Sequence, residues 1–410
     1  MRPAGRGLVE GVAALGLASG ISAAVGWLVL LVVARAGGPE EYATFSAMWS
    51  LYLACVGVLV GLQQEQTRSM LRSDRGTGTS ETTCQLAAVV PLCAVAVVPT
   101  LIAAMWWARE AGAAEQVRIV LGICLGVPFL FAATAVNARL AADARWRLLA
   151  AVTIGDQVVR LLVVAVVVHH EPGPTGYALA IAAGVLAYLP LMGEAGRALA
   201  SRAAGSAAGL LKRASAAMVA TGCANLLAVG MPFLISVTGE SDPSIEGSLF
   251  AAIVLTRSPL LLPINALRPL LLRQCILHRD VLTAWFVEKL PAALAAGVAA
   301  VVGGALVGPA ILKLLFGPNF EIAGQTLAGL VACALLMVAM TISGVALVAL
   351  DQDASSTGGW AVAVIASLAC LALPLDVVDR TLLALAAGPA MGLVVHLSAM
   401  ARGVRSVGAD

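Results

Sequence analysis

Twelve apolar stretches, each of about 20 residues and separated by short loops, run along this chain from one end to the other. A helix needs about 20 apolar residues to cross the hydrocarbon core of a bilayer. The chain is 60% hydrophobic and only 12% charged, far from the composition of a soluble domain. The sequence therefore predicts an all-α polytopic membrane protein, with spans at 11–34, 43–64, 84–107, 118–137, 148–169, 176–196, 213–237, 247–267, 284–308, 323–349, 358–374 and 381–400.

The order of the spans indicates an internal repeat. The first two spans and their loop parallel the seventh and eighth, at an offset of about 200 residues, or half the chain. Transporters built from parallel repeats hold their substrate between the two halves, near the bilayer midplane. We predict two parallel six-helix lobes around a central cavity, one at residues 1–205 and the other at 206–410.

Basic residues predict the orientation. Seventeen Lys and Arg side chains fall on one side of the predicted spans and five on the other. The positive-inside rule then places both termini in the cytoplasm, for a multi-pass protein of the inner or plasma membrane. The stretch 11–34 is too long for the apolar core of a cleaved signal peptide, so we expect an uncleaved first helix.

The sequence offers no pattern for metal or catalytic chemistry. The eight cysteines lie mostly within or beside apolar stretches, and none has the CxxC spacing of a metal or redox site. They are interpreted as small hydrophobic residues. We predict no enzyme activity, no metal or other cofactor and no nucleic-acid partner.

A permanent charge interrupts the eighth predicted span. Residues 255–269 read LTRSPLLLPINALRP. Arg257 falls about 15 Å into the span at 1.5 Å per residue, and Pro259 and Pro263 are predicted to kink the helix. A charge at this depth usually faces a cavity or the bundle interior, and a guanidinium suits phosphate. Either Arg257 binds an anionic headgroup of the substrate, or a carboxylate on another helix neutralises it.

Two other charged pairs are candidates for function. Asp156 and Arg160, four residues apart in the fifth predicted span, can meet on one helix face. Either they neutralise each other, or Arg160 contacts a substrate anion while Asp156 carries a coupling proton or sodium ion. Glu65 and Arg68, at the inner end of the second span, form either a cytoplasmic gate or an ordinary interfacial cluster.

Two segments of the chain resemble a known family. One is VVARAGGPEEYATFSAMWSLYLACVGVLVGLQQEQTR at 32–68, and the other is KLLFGPNFEIAGQTLAGL at 313–330. Both resemble polysaccharide flippases of the multidrug/oligosaccharidyl-lipid/polysaccharide (MOP) exporter superfamily. The residues that carry the resemblance are Gly38, Pro39, Tyr42, Phe45, Phe316, Gly317, Pro318 and Phe320.

The resemblance implies a transporter that flips an undecaprenyl-pyrophosphate-linked oligosaccharide to the outer leaflet by alternating access, for cell-surface polysaccharide biosynthesis. It implies a lipid-linked glycan, membrane lipids, a coupling proton or sodium ion and polysaccharide assembly proteins as partners, with Arg257 at the headgroup. The first span contains no arginine, only Arg35 at its outer end. This departs from the lipid II flippase branch and favours a surface polysaccharide over a peptidoglycan precursor.

Three other functions remain open. A multidrug or small-molecule exporter of the related branch would need a coupling carboxylate, for which Asp156 is the one deep candidate in the sequence. A membrane-embedded glycosyltransferase or polymerase would act on the same lipid-linked sugars, but it usually needs a sizeable outer loop. A scaffold in a cell-envelope complex would have no reason to keep a charge as costly as Arg257.

Overall fold

The computed structural model describes residues 4–74, 82–84, 91–92, 129–170, 173–204, 206–239, 241–277 and 282–407. Within these residues the chain is almost entirely helical, and a short antiparallel ladder joins β1 (Thr82–Cys84) to β2 (Arg202–Ala204). The predicted all-α polytopic class is confirmed. Most of the third and fourth predicted spans, 84–107 and 118–137, lies outside the described residues.

The helices follow the apolar stretches of the sequence. In chain order they are α1 (Ala4–Asp74), α2 (Phe129–Ala142), α3 (Trp146–His170), α4 (Pro174–Ala183), α5 (Met192–Ala200), α6 (Ala207–Val229), α7 (Met231–Val237), α8 (Pro243–Leu277), α9 (Leu282–Phe316), α10 (Gly324–Ala349), α11 (Asp353–Leu371) and α12 (Val377–Val407). A 3-10 helix at Gly184–Leu191 joins α4 to α5.

The described residues contain eight helical segments long and apolar enough to cross a membrane, or nine if one bent pair counts as a single span. The first of them, Gly16–Arg72, has 57 residues, which is long enough for two crossings at 1.5 Å per residue. It breaks at Gly38, whose φ of 69° and ψ of −168° are not helical. The first two predicted spans, 11–34 and 43–64, therefore form one element with a break at Gly38, which lies between them.

Contacts group the chain into two units. The first comprises residues 1–37 and 48–225, and the second comprises 38–47 and 226–410. The lobes predicted from the sequence, 1–205 and 206–410, remain a proposal.

Within the first unit, α1 and α6 cross closely at small residues. A Cβ atom on Gly61 would overlap the backbone of Ala217, and one on Gly57 would overlap the side chain of Asn225. Small residues let helix backbones approach in a membrane, where dispersion replaces the hydrophobic effect as the force that joins helices. The crossing therefore depends on glycine at position 61.

Gly61→Leu should destabilise the protein, because the new side chain would force α1 and α6 apart. The expected loss is about 1–3 kcal/mol, the usual cost of overpacking. Gly20→Leu is the matched control on the same helix, since nothing lies within 4 Å of a Cβ there. Thermal unfolding in detergent compares the two variants, and equal melting temperatures would contradict the close crossing.

In the second unit, the two segments that carry the family resemblance meet. The ring of Tyr42 lies 5.6 Å from the rings of both Phe316 and Phe320, edge to face in each case. All three side chains are buried. Three of the eight residues that carry the resemblance therefore form one aromatic cluster, which is a structural role and indicates no substrate.

A buried histidine joins α10, α11 and α12 in the same unit. His396 Nδ1 lies 2.8 Å from Ser343 Oγ, and Nε2 lies 3.0 Å from the Ser356 carbonyl oxygen. The Trp360 ring packs edge-on against the imidazole. Both ring nitrogens have a partner, so His396 has the contacts of a satisfied core residue.

Candidate functional site

A cavity of about 360 Å³, lined by both polar and apolar side chains, lies in the first unit. Asp156 on its wall is about ten residues, or roughly 15 Å, from the start of α3, which places it near the middle of a span. The other walls come from α1, α2 and the 3-10 helix of the sixth span. The polar side chains that line it include Tyr52, Gln63, Asn137, Asp156, Gln157 and Tyr188.

Arg160 is enclosed next to this cavity. Its side chain is 1% exposed, and Nη2 donates to Asp156 Oδ1 at 2.7 Å and to the Tyr52 hydroxyl. The guanidinium carbon lies 4.2 Å from the centre of the Tyr52 ring and 5.7 Å from that of Trp49. A carboxylate and two aromatic faces therefore stabilise the charge of Arg160 away from water.

Two amide side chains that line the cavity each have an oxygen without a hydrogen-bond partner in the part of the chain that the structure describes. Gln157 Nε2 donates to Asp156 Oδ2 at 3.3 Å, and Asn137 Nδ2 donates to the Tyr188 hydroxyl at 3.2 Å. The Oδ1 atom of Asn137 and the Oε1 atom of Gln157 are buried and accept no hydrogen bond within the described residues. Buried oxygens of this kind normally have a partner, so these two are candidate acceptors for a hydrogen-bond donor on a ligand.

The glycine at the start of the 3-10 helix makes room for the ion pair. A Cβ atom on Gly184, the first residue of the 3-10 helix, would collide with the side chains of Arg160 and Asp156. Pro190 near the end of the 3-10 helix has no N–H group and cannot continue a regular α-helical ladder. Glycine at position 184 therefore allows the 3-10 helix to pass close to the ion pair.

The structure brings Asp156 and Arg160 together, as their spacing predicts, and it adds Tyr52 and Trp49 from α1. Arg160 does not line the cavity, whereas Asp156 does. The pair is charge-balanced, which fits the interpretation that the two residues neutralise each other. Headgroup binding by Arg160 and ion coupling by Asp156 remain predictions.

Arg257 is also enclosed. It is 4% exposed, and its Nη1 donates to the Leu227 carbonyl at 2.6 Å and lies 3.4 Å from the Ala228 carbonyl. Backbone oxygens are therefore its hydrogen-bond partners among the described residues, in place of the carboxylate that the sequence left open. The helix α8 continues through Pro259 and Pro263, and the kinks and headgroup contact predicted there remain predictions.

A second cavity, of about 410 Å³, lies in the second unit where α8 begins, and its lining includes Ser244, Asn319 and Glu321. Lys313 donates to Glu321 at 2.6 Å, and this hydrogen bond lowers the pKa of that carboxyl. Arg257 is not among the residues that line either cavity.

Glu65 forms a closer ion pair with a residue of another helix than with Arg68, its predicted partner. Its side chain is 4% exposed and lies 3.7 Å from Arg68, which is 65% exposed. Arg213, from α6, donates through Nε to Glu65 Oε1 at 2.6 Å. The ion pair across α1 and α6 is therefore tighter than the predicted pair within α1, and a gating role for either remains a prediction.

The described residues contain no group of His, Cys, Asp or Glu that could hold a metal ion. Of the cysteines described, Cys275 and Cys333 are buried and the others are half-buried.

Sequence reasoning missed the aromatic and amide residues of the site because it followed formal charges alone. Asn137 and Gln157 stand within apolar stretches, and that position alone marks them as polar groups inside the membrane. Trp49, Tyr52 and Arg213 had no such signal, because only tertiary contacts bring them to Arg160 and Glu65.

Relatives of the whole chain exist among curated proteins. The chain is 30% identical over 405 residues to "Uncharacterized protein Rv1510" of Mycobacterium tuberculosis, a match that covers 95% of this chain and 91% of the relative. It is 29% identical over 406 residues to "Uncharacterized protein Mb3654" of Mycobacterium bovis, covering 95% and 92%. No protein-family model matches the chain.

Solved structures of transporters share the fold. An inward-facing multidrug resistance MATE family transporter of the MOP superfamily has a TM-score of 0.65 and 12% identity, over 95% of each chain. Lipid II flippase MurJ, in an inward closed conformation, also has a TM-score of 0.65 and 12% identity, over 94% of this chain and 87% of MurJ. A MOP superfamily transporter from Pyrococcus furiosus, whose reversed pocket polarity suggests a different function, has a TM-score of 0.62 and 13% identity, over 96% of each chain.

Proposed function

We propose that this protein transports a lipid-linked oligosaccharide across the membrane. The premise is that the chain belongs to the family of the Mycobacterium tuberculosis protein Rv1510 and has the fold of MOP superfamily transporters. The substrate is carried on undecaprenyl pyrophosphate and moves by alternating access from the cytoplasmic to the outer leaflet of the inner or plasma membrane. Both termini lie in the cytoplasm, and the product supplies polysaccharide assembly proteins at the cell surface.

A cavity lined by both polar and apolar side chains in the first unit carries the transport part of the proposal, and the lipid-linked substrate rests on the sequence resemblance of 32–68 and 313–330. Polar side chains within a bilayer cost free energy, and they are usually kept where substrates or ions pass. The cavity is lined by a carboxylate, two tyrosine hydroxyls and two amide side chains whose oxygens have no hydrogen-bond partner among the described residues. A scaffold gains nothing from such a cavity, and the solved structures that share the fold are transporters rather than enzymes.

The size and charge of the cavity also favour a second function, export of a small cationic or uncharged molecule. A volume of 360 Å³ lies near the lower end of the range of about 300–1,000 Å³ that is typical of small-molecule sites, so it suits a small molecule or one headgroup better than a whole oligosaccharide. The ion pair of Asp156 and Arg160 leaves no net positive charge to attract pyrophosphate. The flippase therefore requires a cationic surface outside this cavity, whereas the exporter does not.

Deletion of the gene should trap a pyrophosphate-linked oligosaccharide on the cytoplasmic leaflet and remove one surface polymer. The physical reason is that a charged headgroup does not cross the hydrocarbon core unaided. Mass spectrometry of lipid extracts measures the accumulation and identifies the glycan, and a plasmid copy of the gene should restore both phenotypes.

The purified protein in liposomes supplies the independent test. It should move a fluorescent pyrophosphate-linked oligosaccharide to the opposite leaflet, where a membrane-impermeant quencher reaches it. Normal lipid pools and surface glycans in the deletion strain, together with increased sensitivity to cationic dyes, would reject the flippase and support the exporter.

A further inference from the structure

The seventh span is broken, and the sequence explains where. Helices α6 and α7 meet at Gly230 with a bend of 76°. In an uninterrupted helix the N–H groups of residues 231 and 232 would donate to the carbonyls of residues 227 and 228. Pro232 has no N–H group, so the Ala228 carbonyl loses its donor through the sequence itself. The bonds across the break are those from Gly230 to Leu226 and from Leu234 to Gly230.

The guanidinium of Arg257 reaches the two carbonyls that the break sets free. Its Nη1 lies 2.6 Å from the Leu227 oxygen and 3.4 Å from the Ala228 oxygen. An unsatisfied carbonyl inside a membrane protein is costly, and the last turn of a helix also carries partial negative charge. The buried guanidinium of α8 therefore gives the free carbonyls a hydrogen-bond donor and also offsets the partial negative charge at the end of α6.

We propose that Arg257 is a positioning residue that stabilises the bend in the seventh span. Its guanidinium binds the carbonyl groups at the carboxyl end of α6. Pro232 removes one backbone donor, and Arg257 replaces it from the neighbouring helix. The bend is thus a property encoded by two residues 25 positions apart. This role differs from the headgroup contact, and it does not depend on which substrate is carried.

The first variant is Arg257→Met, which keeps apolar bulk and removes the donors. It should lower the melting temperature in detergent by about 5 °C or more, because two buried carbonyls lose their partner. Pro232→Ala restores an N–H group opposite Ala228. Added to Arg257→Met, it should recover at least half of the loss.

A distance measurement separates a straightened span from a merely weakened fold. Spin labels at Leu226 and Ser236, in a variant without other cysteines, would lie about 15 Å apart along a straight helix. They should be closer in the protein with Arg257 and Pro232 intact. The distance should approach the straight-helix value in the Pro232→Ala, Arg257→Met double variant.

Three outcomes would overturn the proposal. One is an unchanged melting temperature and label distance in Arg257→Met with transport lost, which would support the headgroup role instead. Another is a double variant that is no more stable than Arg257→Met. The third is a double variant that fails to accumulate in the membrane, since the restored N–H group is expected to allow folding.

Discussion

Arg160→Met should destabilise the protein far more than the simultaneous replacement of Arg160 by Met and Asp156 by Asn. The single variant leaves the Asp156 carboxylate, only 14% exposed, without its cation. Removing one partner of a buried ion pair typically costs about 3–5 kcal/mol, whereas removing both charges is often close to neutral. Melting temperatures of the two purified variants and of the unaltered protein measure the difference.

The Asp156→Asn, Arg160→Met double variant also decides between the two interpretations that the sequence left open. If the pair only neutralises itself, the folded double variant should transport substrate at a normal rate. If Asp156 couples transport to an ion or Arg160 holds an anion, the same variant should fold and transport should fall at least tenfold. A double variant as unstable as Arg160→Met would contradict the ion-pair account of the site.

Arg213→Ala should have a much larger effect than Arg68→Ala, although both arginines face the same carboxylate. Arg213 bonds Glu65 at 2.6 Å across α1 and α6, whereas Arg68 lies 3.7 Å away and is largely in solvent. Loss of a hydrogen bond to a buried charge costs about 1.5–3 kcal/mol, and exposed pairs contribute about 0–1 kcal/mol. Thermal unfolding of the two variants, with Glu65→Gln as a third, compares the stability that each change removes.

A variant in which the two charges exchange positions provides the control. Glu65→Arg combined with Arg213→Glu should recover part of the stability that either change removes, since the two groups would still meet. Equal effects of Arg213→Ala and Arg68→Ala would show that the contact between α1 and α6 contributes little. Slower transport in a variant of unchanged stability would support the gating role.

Much of this architecture follows from the sequence because the bilayer leaves few choices. Backbone groups in hydrocarbon must bond within their own segment, so an apolar stretch such as 148–169 becomes a helix whatever surrounds it. The same rule makes the break at Gly38 and Pro39 foreseeable, since two spans need a turn between them. The contact of Asp156 with Arg160 is equally local, because helical spacing alone brings them to one face.

Helical spacing in the sequence does not predict the partners of the other buried charges. The sequence correctly places Arg257 inside a span and marks its charge as requiring a partner, but a partner on another helix has no fixed spacing in the chain. Leu227 and Ala228 are apolar in their side chains, so no pattern marks their carbonyl oxygens as the groups that bind a guanidinium. The same holds for Trp49 and Tyr52 around Arg160.

By itself, the sequence determined the class of the protein, the course of its spans and the local pairs within one helix, because these depend on hydrophobicity and on the 3.6-residue turn. The tertiary structure alone decided which buried charge faces a cavity and which one is bound by backbone. Helix packing sets those contacts, because side-chain volume decides how closely helices approach at crossings such as that of Gly61 and Ala217. The residues that meet there are far apart in the chain, and helical periodicity predicts only contacts between near neighbours.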